Sequence, residues 1–118
     1  MTLKDGMKET PIQQAFGNSP KAAILNFLHA HVGYDYHMSE IGKHVGISRQ
    51  TVAKSLPDLM YYNLVKASRV IGNTTMYKFN MNSQQGIKFH NLNKVLVDIV
   101  IADEEGVDPS VITSQEFQ

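Results

Sequence analysis

Residues 39–63 read SEIGKHVGISRQTVAKSLPDLMYYN, and this stretch decides the fold. Ser39 starts a short helix over Glu40 to Val45, in which Ile41 and Val45 stand four residues apart and so share a face. Gly46 closes it, because a residue without a β-carbon takes a backbone turn that branched residues resist. Val45 and Ile47 flank that glycine and are expected to point inward, clamping two helices at a steep angle. Ser48 caps the next helix, which begins at Arg49 and buries Val52, Leu56, Leu59 and Met60 as one stripe.

Two helices joined through such a turn have the form of a helix-turn-helix. The side of the second member opposite the stripe is polar: Arg49, Gln50, Thr51, Lys54 and Ser55 fall within its first two turns. A helix end of this kind enters a major groove, where long donors reach base edges. Pro57 removes the bond to the Ala53 carbonyl and is expected to kink the helix or end its straight portion. Asn63 tolerates the left-handed conformation and takes the terminating role before Leu64.

Working outward, Ser19 and Pro20 start an earlier helix running to about His31, with Ile24, Leu25, Phe27, Leu28 and Val32 as its apolar face and Gly33 as its stop. Tyr34 to Met38 reads as an extended link able to supply one small strand. After the helix-turn-helix, Leu64–Ile71 and Thr74–Asn80 are β-prone runs around Gly72 and Asn73, the form of a hairpin. Its second run sets Thr75, Tyr77 and Phe79 on one face and Met76 and Lys78 on the other, so one side can pack inward while the other meets solvent or phosphate. A last helix from Ser83 to about Ala102 carries Phe89, Leu92, Val95, Leu96, Ile99 and Val100 at three-and-four spacing. The expected organisation is a mobile lead-in over residues 1–18, from which only Ile12 and Phe16 could dock, a binding domain over 19–82, the helix over 83–102 and an acidic tail over 103–118. The fold class is mainly α with a small β-hairpin.

The 118 residues hold eleven Lys and Arg against eleven Asp and Glu, a balance that by itself argues against nucleic acid. The placement of those charges along the chain points the other way. Asp103, Glu104, Glu105, Asp108 and Glu116 lie at the end with no base among them, so the preceding part carries a net charge of +5. Within residues 19–80 alone there are seven bases and three acids. With no cysteine in the chain, disulfides, thiolate metal sites and cysteine nucleophiles are excluded. The start lacks a signal-peptide profile and no run approaches the length of a membrane span, so a soluble cytoplasmic protein is the simplest expectation.

The segment from Ser39 through Phe79 resembles a winged helix-turn-helix, specifically archaeal transcriptional regulators of the MarR/ArsR-like group. The resemblance rests on Ser39, Glu40 and Ile41, on Val45, Gly46, Ile47 and Ser48, on Thr51, Val52, Leu56 and Leu59, and on Asn63, Leu64 and Val65 leading into the hairpin. Phe16 to Pro20 ahead of the first long helix is similar to that group as well. Gly42 departs from its usual Ala, and Asn63 from its usual Gly. The resemblance implies a dimer that binds operator DNA through the third helix and the hairpin wing.

On these grounds Ser48, Arg49, Gln50, Thr51 and Lys54, with Arg69, Asn73, Thr74 and Lys78 of the wing, are the expected DNA-binding residues. Arg or Lys donates to guanine, Gln to adenine, and Ser48 and Thr51 suit phosphates near the helix start. Phe89, Leu92, Val95, Leu96, Ile99 and Val100 are the expected interface of a homodimer, which would set two reading helices about 34 Å apart on a palindromic operator. The expected function is sequence-specific binding of double-stranded DNA as a transcriptional regulator, with repression as the default outcome. The alternative is a winged-helix adaptor, or a DNA-organising protein in replication or segregation, a reading favoured by the acidic tail.

No cofactor, metal or membrane is expected. His29 and His31 fall on nearly opposite sides of a helix, and His37, His44 and His90 lack ligand partners at three- or four-residue spacing. Tyr34, Tyr36, Tyr61 and Tyr62 could line an effector pocket, but aromatic packing explains them equally. No phosphate-cradling glycine loop, nucleophile elbow or placed carboxylate pair points to an enzyme.

Overall fold

The computed structural model describes residues 9–106. Five helices and one hairpin follow in the order α1 (Pro11–Phe16), α2 (Pro20–Ala30), α3 (Met38–Val45), α4 (Arg49–Tyr61), β1 (Val65–Ile71), β2 (Thr74–Phe79) and α5 (Gln84–Glu105). The third helix expected from the sequence is thus α4. Side chains supply the helix starts as expected, with Ser19, Ser48 and Ser83 accepting from backbone N–H groups of the first turns of α2, α4 and α5. For α3 the cap is His37 rather than Ser39. Its Nδ1 accepts from the Glu40 N–H at 3.2 Å while the Glu40 carboxylate accepts from the His37 N–H at 3.0 Å, a reciprocal arrangement that satisfies two otherwise free donors.

One core joins α2, α3, α4 and the base of the hairpin: Ile24, Leu28, Ile41, Val52, Leu56, Val65 and Phe79 are essentially inaccessible to solvent. Val45 and Ile47 pack against it from either side of Gly46, whose φ of 85° is left-handed. Asn63, at φ 59°, ends the α4 segment in the conformation expected of it. The helix α4 continues through Pro57, which is exposed, so the proline does not end the helix. Tyr36 and Tyr77 exchange two backbone hydrogen bonds of 2.9 and 2.8 Å, making the link before α3 a single-residue third strand beside the wing.

Three expectations are corrected. Residues 11–16, read as part of an irregular lead-in, form a helix capped by Thr10, whose hydroxyl also bonds Asn26 of α2 at 2.8 Å. Ile12 is buried there, as anticipated, but Phe16 is 69% exposed. The last helix does not stop at Ala102: it continues through Asp103, Glu104 and Glu105 to a left-handed Gly106. The rest of the acidic tail, and residues 1–8, lie outside the described residues. Finally, the hairpin does not keep one buried face, because both Met76 and Phe79 are buried. No helix of the described residues is long and apolar enough to cross a membrane.

Candidate nucleic-acid interface

Packing of Val52, Leu56 and Leu59 into the core turns the start of α4 outward, leaving Arg49, Gln50 and Lys54 exposed and Thr51 half-buried. Ser55 does not join them: it is buried and donates to the Thr51 carbonyl at 2.7 Å. The Ser48 and Thr51 hydroxyls lie 2.9 Å apart, and Ser48 Oγ accepts from the Thr51 N–H. Both therefore serve the helix start while remaining near its surface.

Arg49, Asn73 and Thr74, far apart in sequence, line one cavity of about 290 Å³, together with His37, Met38, Ser39, Thr75 and Tyr77. This cleft runs between the starts of α3 and α4 and the wing tip, and its lining is mostly polar. His37, Ser39 and Thr75 were not among the residues expected from the sequence. The pairing of His37 with Glu40 three residues on was the available signal for a helix start, but nothing local placed that start beside the wing.

The charges are sorted by pairing. Of the three acids within residues 19–80, Asp35 pairs with Arg69, Asp58 with Lys21, and Glu40 is held in the His37 cap. Among the described residues, Lys43, Arg49, Lys54, Lys66 and Lys78 have no carboxylate within ion-pair distance. Among the described residues, a formally neutral chain thus presents cations without ion-pair partners around its helix-turn-helix and wing, the condition for attracting a polyanion.

Two wing residues sit apart from the cleft. Arg69 is engaged within the molecule, its Nε and Nη2 donating to the two carboxylate oxygens of Asp35 at 2.8 and 3.2 Å. That guanidinium, aided by the Ser68 hydroxyl, holds the Asp35 carboxyl down to about 2. Lys78 stands at the hairpin base directly across from Lys66, and the two line a separate cavity of about 110 Å³ with Gly33 and Asn82.

On α5, Phe89 packs on its own domain's core, edge-on to His29. Leu92 is exposed, and Val95, Leu96, Ile99 and Val100 are half-buried within a single chain. Ile87 and Ile101, outside the expected stripe, are also exposed. The short α1 packs against α5 and α2, so part of α5 is covered from within the chain. Among the described residues no three His, Cys, Asp or Glu side chains are grouped to hold a metal ion. Of the tyrosines weighed for an effector pocket, Tyr36 packs with Phe27 and His44, whereas Tyr34, Tyr61 and Tyr62 are exposed, the last two at the C-terminal end of α4.

No protein-family model matches the chain, and no curated protein matches its sequence. Solved structures do. A point mutant of Staphylococcus aureus MepR bound to an oligodeoxyribonucleotide superposes with a TM-score of 0.62 at 16% identity, over 90% of this chain and 76% of that one. Staphylococcus aureus MepR, a transcription regulator of the multidrug efflux pump MepA, gives 0.60 at 14% identity over 88% and 76%. The Streptomyces coelicolor transcriptional regulator PcaV, in complex with its natural ligand, gives 0.52 at 24% identity over 84% and 74%. The fold is a winged helix similar to that of MepR and PcaV, mostly helical with a two-stranded hairpin and a C-terminal helix.

Proposed function

We propose that this chain is a sequence-specific, double-stranded-DNA-binding transcriptional regulator. The observation that carries this reading is the convergence of Arg49 at the start of α4 with Asn73 and Thr74 of the wing around one polar cleft. In the proposed mode Arg49, Gln50 and Lys54 enter the major groove, where Arg pairs with guanine O6 and N7 and Gln with adenine. Ser48 and Thr51 meet phosphates beside the helix start, and Asn73 and Thr74 hold the flanking backbone. The cations without acidic partners among the described residues, Lys78 included, supply salt-sensitive attraction. That a MepR mutant of similar fold is bound to an oligodeoxyribonucleotide supports DNA as the partner.

The remaining apolar surface of α5, with Leu92 at its centre, is proposed to pair with a second copy, Phe89 bracing the helix on its own domain. Two-fold pairing presents two α4 starts to successive major grooves of a palindromic operator. Repression follows by occlusion of a promoter. Selection from a random duplex pool tests this proposal. Enrichment of sequences with two related half-sites is expected; failure to enrich any sequence, with no duplex binding at low salt, would overturn it in favour of a protein-binding adaptor.

A further inference from the structure

We propose that Asp35, Ser68 and Arg69 form a latch that sets the angle of the wing against the helix-turn-helix, so that Arg69 is a positioning residue rather than a contact to the duplex. This rests on the DNA-binding proposal above. Asp35 lies in the short link between α2 and α3, and Arg69 lies on β1, 34 residues later. Both carboxylate oxygens are used: the guanidinium takes one at 2.8 Å and the other at 3.2 Å, and the Ser68 hydroxyl donates to the first at 2.5 Å. A planar fork met at two points fixes direction as well as distance, which a lysine cannot do.

The strand is shaped for this contact. Consecutive side chains of a regular strand point to opposite faces, so Ser68 and Arg69 would not ordinarily reach one carboxylate. The register between β1 and β2 slips between Ala67 and Arg69. A bulge of this kind re-aims a side chain at the cost of one ladder position, and here it brings two neighbouring donors to Asp35. The adjacent residue, Tyr36, is meanwhile bonded through its backbone to Tyr77 of β2. Both strands of the wing are therefore tied to the link that leads into α3.

Charge makes the assignment testable. The Asp35 side chain is only 15% exposed while that of Arg69 is 60% exposed, so the acid is set inward and the base lies over it. If this acid acted on DNA only through its charge, removing it would strengthen binding to a polyanion. As part of a latch, its removal weakens binding, because the wing no longer holds Asn73 and Thr74 beside Arg49.

Affinity is measured by fluorescence anisotropy on the tightest duplex recovered from a random pool, for the parent, Asp35→Asn, Arg69→Lys and the double variant. The latch predicts about fivefold weaker binding for each single variant, and a double variant no weaker than the weaker single, since both remove one interaction. Amide exchange at Tyr36 and Tyr77 should quicken while that at Val52 and Leu56 stays slow, which also shows that the variants fold. Unchanged or tighter binding by Asp35→Asn, or additive losses in the double variant, would overturn the latch with the DNA proposal intact. A parent that binds no duplex would overturn the DNA proposal instead. The exchange comparison then decides whether the latch exists: confined quickening supports it, and unchanged exchange rules it out.

Discussion

A β-carbon placed on Gly42 would lie 2.7 Å from the carbonyl oxygen of Ile47. The turn between α3 and α4 folds back onto this glycine, whose own carbonyl accepts from the Gly46 and Ile47 N–H groups at 2.8 and 3.0 Å. The departure from Ala at this position is thus a packing requirement of the turn. Replacement by Ala gains helix propensity, up to about 1 kcal/mol, but forces a backbone shift costing about 1–3 kcal/mol. Gly42→Ala should lower the midpoint of thermal unfolding by several degrees, and a midpoint equal to or above the parent's would contradict the tight approach.

Gly86 is more constrained, since its β-carbon would fall 1.8 Å from the Asn80 carbonyl oxygen. No side-chain rearrangement relieves an overlap with backbone. Gly86→Ala should displace the start of α5 from the hairpin, and amide exchange at Gly86 and Ile87 should rise above that of the parent.

His29 of α2 and His90 of α5 are joined through Nε2 and Nδ1 at 3.0 Å. Burial, and then the neighbouring His90, holds the His29 pKa below its ordinary 6.5. The folded state therefore favours neutral His29, whereas the unfolded chain gains the proton near the ordinary value. Stability from this group is complete above that value and falls as pH drops through it toward the lower folded pKa. The unfolding midpoint should decrease between about pH 7.5 and about pH 5.5, and His29→Gln should narrow the difference. An undiminished difference in that variant would assign the pH dependence elsewhere.

The proposed self-association depends on the part of α5 that faces away from its own domain. Leu92→Glu places a charge on that exposed surface without touching the core cluster. Sedimentation should show the parent as a dimer and the variant as a folded monomer. A dimer in the variant would move the interface away from Leu92. Deleting α5 altogether is a poorer test, since it strips Phe89 from the core.

The order of elements from Ser19 to Ser83 was legible because most boundaries have a local chemical signal, namely the Ser19, Ser48 and Ser83 caps, Gly46, Asn63 and the Gly72–Asn73 turn, whereas α3 starts from His37 and not from Ser39. The helix at Pro11–Phe16 was missed because six residues are too short to display a period, although Thr10, Pro11 and Gln13 carry the chemistry of a helix start. The end of α5 was misplaced because Asp103, Glu104 and Glu105 are the wrong charge for a helix C-terminus, and Gly106 was the truer signal. Within the site, the outward side of α4 follows from the periodicity of its buried face. The engagement of Arg69 by Asp35 and the placement of Lys78 beside Lys66 are products of tertiary pairing, for which neighbouring residues give no sign.

Duplex affinity of the parent and of Arg49→Ala, measured across a salt titration on a selected duplex and on a scrambled one, tests DNA reading by α4 most directly. The logarithm of the parent's affinity should fall linearly with the logarithm of salt concentration, with a clear preference for the selected duplex. Arg49→Ala should lose most of that preference, about 1–3 kcal/mol of discrimination, while keeping a salt-dependent affinity for both duplexes. Binding by the parent that ignores salt, or a preference that survives Arg49→Ala undiminished, would contradict it.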